Sequence, residues 1–157
     1  MNRVLFSKQS DEWSTPQDLY NKLDAEFGFT LDAAATAQNR KCSTWISKGS
    51  LVNPWQGPGI PSPIVWLNPP YSQCRQFIAK AAVEAQAGCT VVCLVPSRTD
   101  TQWWHEYVWD QTQHQPRPGV SIRFLKGRLK FGNVQNHAPF PSVLIIFTPL
   151  TKEQEKI

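Results

Sequence analysis

Ile64-Val65-Trp66-Leu67 passes directly into Asn68-Pro69-Pro70-Tyr71, and a second uniformly apolar run, TVVCLVP (90–96), follows. Between them Phe77, Ile78, Ala81, Ala82 and Ala85 recur at helical spacing from about Gln73 to Ala87, with Gly88 at the end. Strands without polar alternation are buried on both faces, which is the condition of strands in a parallel sheet. A strand, a helix and a strand in this order form a right-handed crossover unit. This feature restricts the chain to α/β architecture more than any other.

The flanking segments extend that unit. Thr15 reads as a helix N-cap, with Pro16 at the first helical position and Asp18 in the first turn. Leu19, Tyr20, Leu23 and Phe27 continue the helical period, and Gly28 stops it. FTLDAA then supplies a short strand ending on Asp32. Pro54, Gly57, Pro58, Gly59, Pro61 and Pro63 mark residues 36 to 63 as loop, with one short strand expected near Trp45. Thr99, with Gln102 placed for a capping box, starts a further helix carrying Trp103, Trp104, Tyr107 and Val108. Ser121 to Leu125 and Arg128 to Phe131 predict a hairpin turning at Lys126-Gly127, and SVLIIF (142–147) closes the sheet. The expected fold is a single α/β domain over 1–157, with its core at about 11–148 between short flexible tails.

Ligands of such sheets bind beyond the carboxyl ends of the strands, where Asp32 and Asn68 both stand. The tetrapeptide Asn68-Pro69-Pro70-Tyr71 suits one particular chemistry. An exocyclic amine on a nucleobase is a poor nucleophile because its lone pair is delocalised into the ring. The side-chain oxygen of Asn68 and a nearby backbone carbonyl can each accept one of its N–H bonds and favour a pyramidal nitrogen. Pro69 and Pro70 stiffen the segment, so that the acceptors are placed before reaction. Tyr71 offers a ring face to a base taken out of a duplex. Neither a metal nor a covalent nucleophile is required.

Composition bears on partners and compartment. The formal net charge of +4 agrees with a polyanionic partner, and Arg117, Arg123, Lys126, Arg128 and Lys130 gather late in the chain. Cys89 and Cys93 flank TVV on a strand, about 13 Å apart, too far for a disulfide or a shared zinc. Cys42 and Cys74 stand alone, so free thiols are expected. No stretch approaches the roughly 18 apolar residues of a membrane span, and MNRVLFSKQSDEW lacks an apolar signal core. A soluble cytoplasmic protein is expected.

The stretches DEWSTP (11–16), FGFTLDAAAT (27–36), WLNPPYS (66–72), LVPSRTDTQWWH (94–105), RFLKGRLKFG (123–132) and APFPSVLIIF (138–147) carry a resemblance. In them the chain resembles the phage DNA N-6-adenine methyltransferase (Dam-type) family, from about Asp11 to Thr148. The resemblance implies an abbreviated Rossmann-like sheet, mostly parallel, S-adenosyl-L-methionine as cofactor and DNA as partner. It implies that Trp13, Ser14, Thr15 and Pro16 help hold the cofactor, with Asp32, Ala33, Ala34 and Asn68 beside it. Asn68, Pro69, Pro70 and Tyr71 become the catalytic segment. Tyr71, Ser72, Arg98, Arg128, Lys130 and Phe131 become the substrate contacts, Phe131 as a base-stacking ring. Asn at position 68 leans toward adenine over N4-cytosine, by the same resemblance. RNA or protein-glutamine amino-methylation, and a DNA-binding module without catalysis, stay open as alternatives. The chain departs from the family pattern in three respects. Ala33-Ala34-Ala35 replaces a glycine-rich turn, Gly49 stands where an acid is usual, and the stretch from Asp32 to Asn68 is short for a full sheet.

Overall fold

The computed structural model describes residues 14–131 and 137–156. Helix α1 spans Gln17–Phe27 and ends on Gly28, whose left-handed conformation (φ 69°) lets its N–H reach the Asp24 carbonyl. At the other end of α1 the sequence expectation needs correction. Pro16 occupies the cap position in an extended conformation, no side chain caps the helix, and the Thr15 hydroxyl is engaged elsewhere.

Strand β1 (Leu31–Asp32) pairs in parallel with β2 (Ile64–Leu67), and β2 in parallel with β3 (Thr90–Pro96). Helix α2 (Cys74–Gln86) makes the crossover between β2 and β3, entered through a 3-10 turn at Tyr71–Gln73. Between Asp32 and Ile64 the sheet gains only an isolated bridge from Asp32 to Trp45, so the short strand expected near Trp45 is a single bridge and β1 is the edge strand.

The end of the chain differs from the sequence reading. Strand β6 (Val120–Phe124) pairs with β7 (Ser142–Phe147) and not with Arg128–Phe131, and β7 lies between β3 and β6. The expected hairpin at Lys126-Gly127 does not form. All six residues of β7 are buried, and an interior position covers both of their faces where an edge position would not. The five-stranded order is β1-β2-β3-β7-β6, parallel across the first three strands and antiparallel across the rest. The expected helix after Thr99 is also altered. Gln102 and Trp103 begin it, Trp104–Val108 continue as a π-helical turn, and the strands β4 (Trp109–Asp110) and β5 (Gln115–Pro116) follow as a separate pair. The Thr99 carbonyl meets His105 Nε2 at 2.8 Å, and its side chain caps nothing.

Side-chain alternation along the strands builds two cores. Val65, Leu67, Val91, Cys93, Val95 and Ile145 face α2, where Phe77, Ile78 and Trp104 cover them. Trp66, Val92, Leu94, Leu144 and Ile146 face α1, under Tyr20 and Leu23. Each fully buried branched side chain contributes roughly 1.5–3 kcal/mol, so β2, β3 and β7 are the rigid base on which the strand ends are held. All four cysteines are buried free thiols. Among the described residues no helix is long and apolar enough to cross a membrane, and no group of His, Cys, Asp and Glu could hold a metal.

Candidate active site

The carboxyl ends of β1 and β2 open into a cleft with an empty volume of about 740 Å³, part of it open to solvent. Ser14, Thr15, Asp32, Ala33, Ala34 and Asn68 all line the cleft. Trp13 lies outside the described residues. Pro16 borders the group as the cap of α1.

Asp32 is 3% exposed. Its Oδ1 accepts the Ala34 N–H at 3.3 Å and its Oδ2 accepts the Lys41 N–H at 2.9 Å. Burial raises its pKa above the usual carboxylate value, and those two backbone bonds oppose the rise only in part. The Ala33 N–H donates to the Trp66 carbonyl at 3.1 Å, which ties the turn after β1 to β2. Ala33 is fully buried, so small residues there allow the close approach that a glycine-rich turn would.

Asn68 follows β2 directly, and its Nδ2 donates to Thr15 Oγ1 at 3.0 Å. This bond joins residues 53 positions apart and fixes the donor end of the amide. Tyr71 is half-buried, edge-on to Phe140 (centroids 5.2 Å apart, 81°) and to Phe131 (6.4 Å, 84°). Burial pushes its phenol pKa up, so the ring is neutral at physiological pH.

The remaining substrate candidates separate. Phe131 is 1% exposed within the α1-side core, which corrects its nomination as a base-stacking ring. Ser72 and Arg98 are exposed, Arg98 just beyond the end of β3. Arg128 and Lys130 are exposed in the segment after β6. Arg123 is committed internally, donating to Glu26 at 2.7 Å and lying over the Phe27 ring. Arg117 holds the His105 carbonyl at 2.9 Å.

The cleft also recruits residues that the sequence reading missed, among them Thr36, Asn39, Lys41, Ser47, Ser50 and Gln73. Thr36 and Asn39 exchange reciprocal side-chain-to-backbone bonds (2.7 and 3.2 Å), a spacing legible as a turn but not as a site. Ser50 donates to the Ala33 carbonyl at 2.5 Å and accepts from Trp55 Nε1 at 3.0 Å. The neighbouring departure at Gly49 has a backbone cause. Its φ is 76°, and a Cβ there would come within 2.6 Å of Asn53 Nδ2, so an acid at this position would be strained.

The family model described as DNA N-6-adenine-methyltransferase (Dam) matches residues 4–157. The chain belongs to this family. Among the family's phage proteins, the DNA N-6-adenine-methyltransferase of Escherichia phage T1 is 34% identical over 98 residues, which are 61% of this chain and 40% of that protein. The protein of the same name from Haemophilus phage HP1 is 27% identical over 150 residues, 91% of this chain and 83% of that relative. The chain thus spans well under half of the first relative and most of the second.

Proposed function

We propose that this family member transfers a methyl group from S-adenosylmethionine to the exocyclic N6 of adenine in DNA. The observation that carries the reading is the Asn68 amide, held by Thr15 at the end of β2, on the wall of the cleft that Asp32 also lines. A buried carboxylate suits a donor that carries positive charge, and the small side chains of Ala33 and Ala34 on the cleft wall leave room beside it. When bound, such a donor supplies a methyl group on a sulfonium, which leaves with no need for acid catalysis.

The chain's own residues supply the rest. With Nδ2 occupied by Thr15, the Asn68 Oδ1 is the end of the amide that can accept an N–H from the amine. Pro69 and Pro70 restrict the backbone around it. The Asn68 oxygen would hold the amine while it gains the methyl group and a positive charge, and the amine would return to neutrality by losing a proton to water. Edge contacts from Phe140 and Phe131 set the plane of Tyr71, the half-buried ring three residues after Asn68 that we assign to packing an extruded base. Ser72, Arg98, Arg128 and Lys130 are the polar contacts we assign to the DNA. We read the whole chain as one domain with an abbreviated Rossmann-like sheet.

The test is to methylate DNA with isotope-labelled S-adenosylmethionine, digest it to nucleosides and identify the product by mass spectrometry. N6-methyladenine is expected, and Asn68→Ala should lower the rate about a hundred- to thousandfold with donor affinity retained. N4-methylcytosine as the product would overturn the adenine assignment. An Asn68→Ala rate above about half of wild type would overturn the role of Asn68.

A further inference from the structure

We infer that Phe124 and the Lys126–Lys130 segment form the surface on which duplex DNA lies, with Phe124 contacting bases that flank the target. The inference rests on the DNA reading above and adds a location to it. Phe124 is 72% exposed, and among the described residues it is the largest hydrophobic side chain left more than half exposed. Trp45, at 37%, is partly covered by the Arg40 guanidinium 4.5 Å from its ring, and Val52 and Val83 are smaller. Phe124 continues the face of β6 on which Val120 and Ile122 pack into the α2-side core, yet among the described residues nothing comparable covers it.

The surroundings identify the occupant. Leu125 and Leu129 turn inward against the α1-side core, and the Leu129 carbonyl accepts the Ala138 N–H at 2.8 Å. Lys126, Arg128 and Lys130, between and beyond them, remain exposed. The segment is therefore anchored by its apolar residues and presents its cations outward. No Asp or Glu occurs anywhere between Asp110 and Glu153, so this part of the chain repels a cation and attracts a polyanion. A strongly cationic strip with one bare aromatic ring matches a partner that offers both phosphates and bases.

Strand register places the strip at the correct end of the sheet. Strand β6 is antiparallel to β7, and β7 to β3, so β6 ends where β2 and β3 end. Phe124 lies opposite Val143, Val143 opposite Val95, and Cys93, two residues earlier, opposite Leu67. Phe124 is thus level with the start of the Asn68 segment, three strand spacings away, or about 14 Å. That separation corresponds to about four base-pair rises of about 3.4 Å each. It is too far to fill the gap left by an extruded base, and suits contact with flanking base pairs.

The experiment measures binding of the full chain to a fluorescent duplex without methyl donor, across a salt series, with methyl transfer assayed separately. Phe124→Ala should weaken binding between about fivefold and a hundredfold at every salt concentration, with the log–log salt slope unchanged. The triple variant Lys126→Gln, Arg128→Gln, Lys130→Gln should instead flatten that slope by about three. A thermal midpoint equal to wild type confirms that Phe124→Ala is folded, as its exposure leads one to expect. If both variants keep wild-type affinity and slope, the surface is wrong, even where the wild type methylates adenine. If both behave as described but no methyl transfer occurs, the surface stands and the methyltransferase reading fails. Should Phe124→Ala dissociate a dimer in sedimentation velocity and leave DNA affinity alone, the ring belongs to an interface between two copies, and the inference is overturned.

Discussion

At Thr15 a local rule and a tertiary one compete for a single hydroxyl. Its sequence context is that of an N-cap, but the hydroxyl accepts from Asn68 and α1 starts without a side-chain cap. The bond orients the Asn68 amide, and under the proposed function Thr15 would act as a positioning residue. Thr15→Val keeps the shape and removes the acceptor. The turnover number should fall about tenfold, in line with roughly 0.5–1.5 kcal/mol for one hydrogen bond, while calorimetry shows nearly unchanged donor affinity. Thr15→Ser should restore the rate, and equal losses in Ser and Val would remove the role. Asp32 predicts a pH effect. Burial raises its folded pKa above the unfolded value, so the folded state holds the proton more tightly. Stability from this residue is therefore fully present below the unfolded pKa and is lost as pH rises through the folded one. A cationic donor favours the ionised form. Donor affinity should thus weaken on acidification, beginning at a higher pH than an ordinary aspartate would give. Asp32→Asn should bind more weakly at neutral pH and lose that dependence, and a wild-type profile identical to that of Asp32→Asn would exclude the carboxylate from the donor site.

At the scale of elements, legibility followed burial. IVWL and TVVCLVP are covered on both faces, so a continuous apolar run was enough to locate β2 and β3 without error in their bounds. The positions of Asn68, Asp32 and Thr15 were legible because they stand at the ends of such strands or before a helix start. The segment from Ser121 to Phe131 misled because Lys126-Gly127 looks like a turn, whereas the true partner of β6 is the distant β7. Phe131 was misjudged with it, since only the tertiary fold turns that ring inward. Prolines hid the order in residues 36 to 63. There Trp55 is buried, its N–H donates to Glu84 Oε2 at 3.1 Å, and its indole N–H holds Ser50 on the cleft wall. Glu84 also pairs with Lys80 at 2.6 Å, with both side chains largely buried. Glu84→Ala strands a buried N–H and a largely buried ammonium at once, and should cost about 3 kcal/mol in urea unfolding. Glu84→Gln, which keeps an acceptor for Trp55, should cost less. Donor affinity should fall with Glu84→Ala as the Ser50 wall loosens; an unchanged unfolding midpoint would refute the staple.

At the scale of the whole molecule, the two cores share β2, β3 and β7, so neither can melt without exposing the other. Unfolding should accordingly be one cooperative transition, which is the test of the single-domain reading. The cleft is drawn from stretches far apart in sequence: Ser14-Thr15 before α1, Asp32 to Thr36 with Asn39 and Lys41 after β1, Ser47 and Ser50 in the long loop, Asn68, Pro70 and Gln73 after β2, and Phe77 on α2. A donor bound there touches the native arrangement and has no counterpart in the unfolded chain. At a hundredfold excess over its dissociation constant it should add about 2.7 kcal/mol of stability. For a chain of this size that is a rise in melting temperature of roughly 5–10 °C. On the proposed function, in which the amide oxygen meets the amine, Asn68→Ala should keep most of the rise, whereas Asp32→Ala should lose most of it. Scanning calorimetry with and without S-adenosylmethionine separates these outcomes. No shift in the wild type at that excess would place the donor outside this cleft, and an equal shift in Asp32→Ala would detach the carboxylate from its binding.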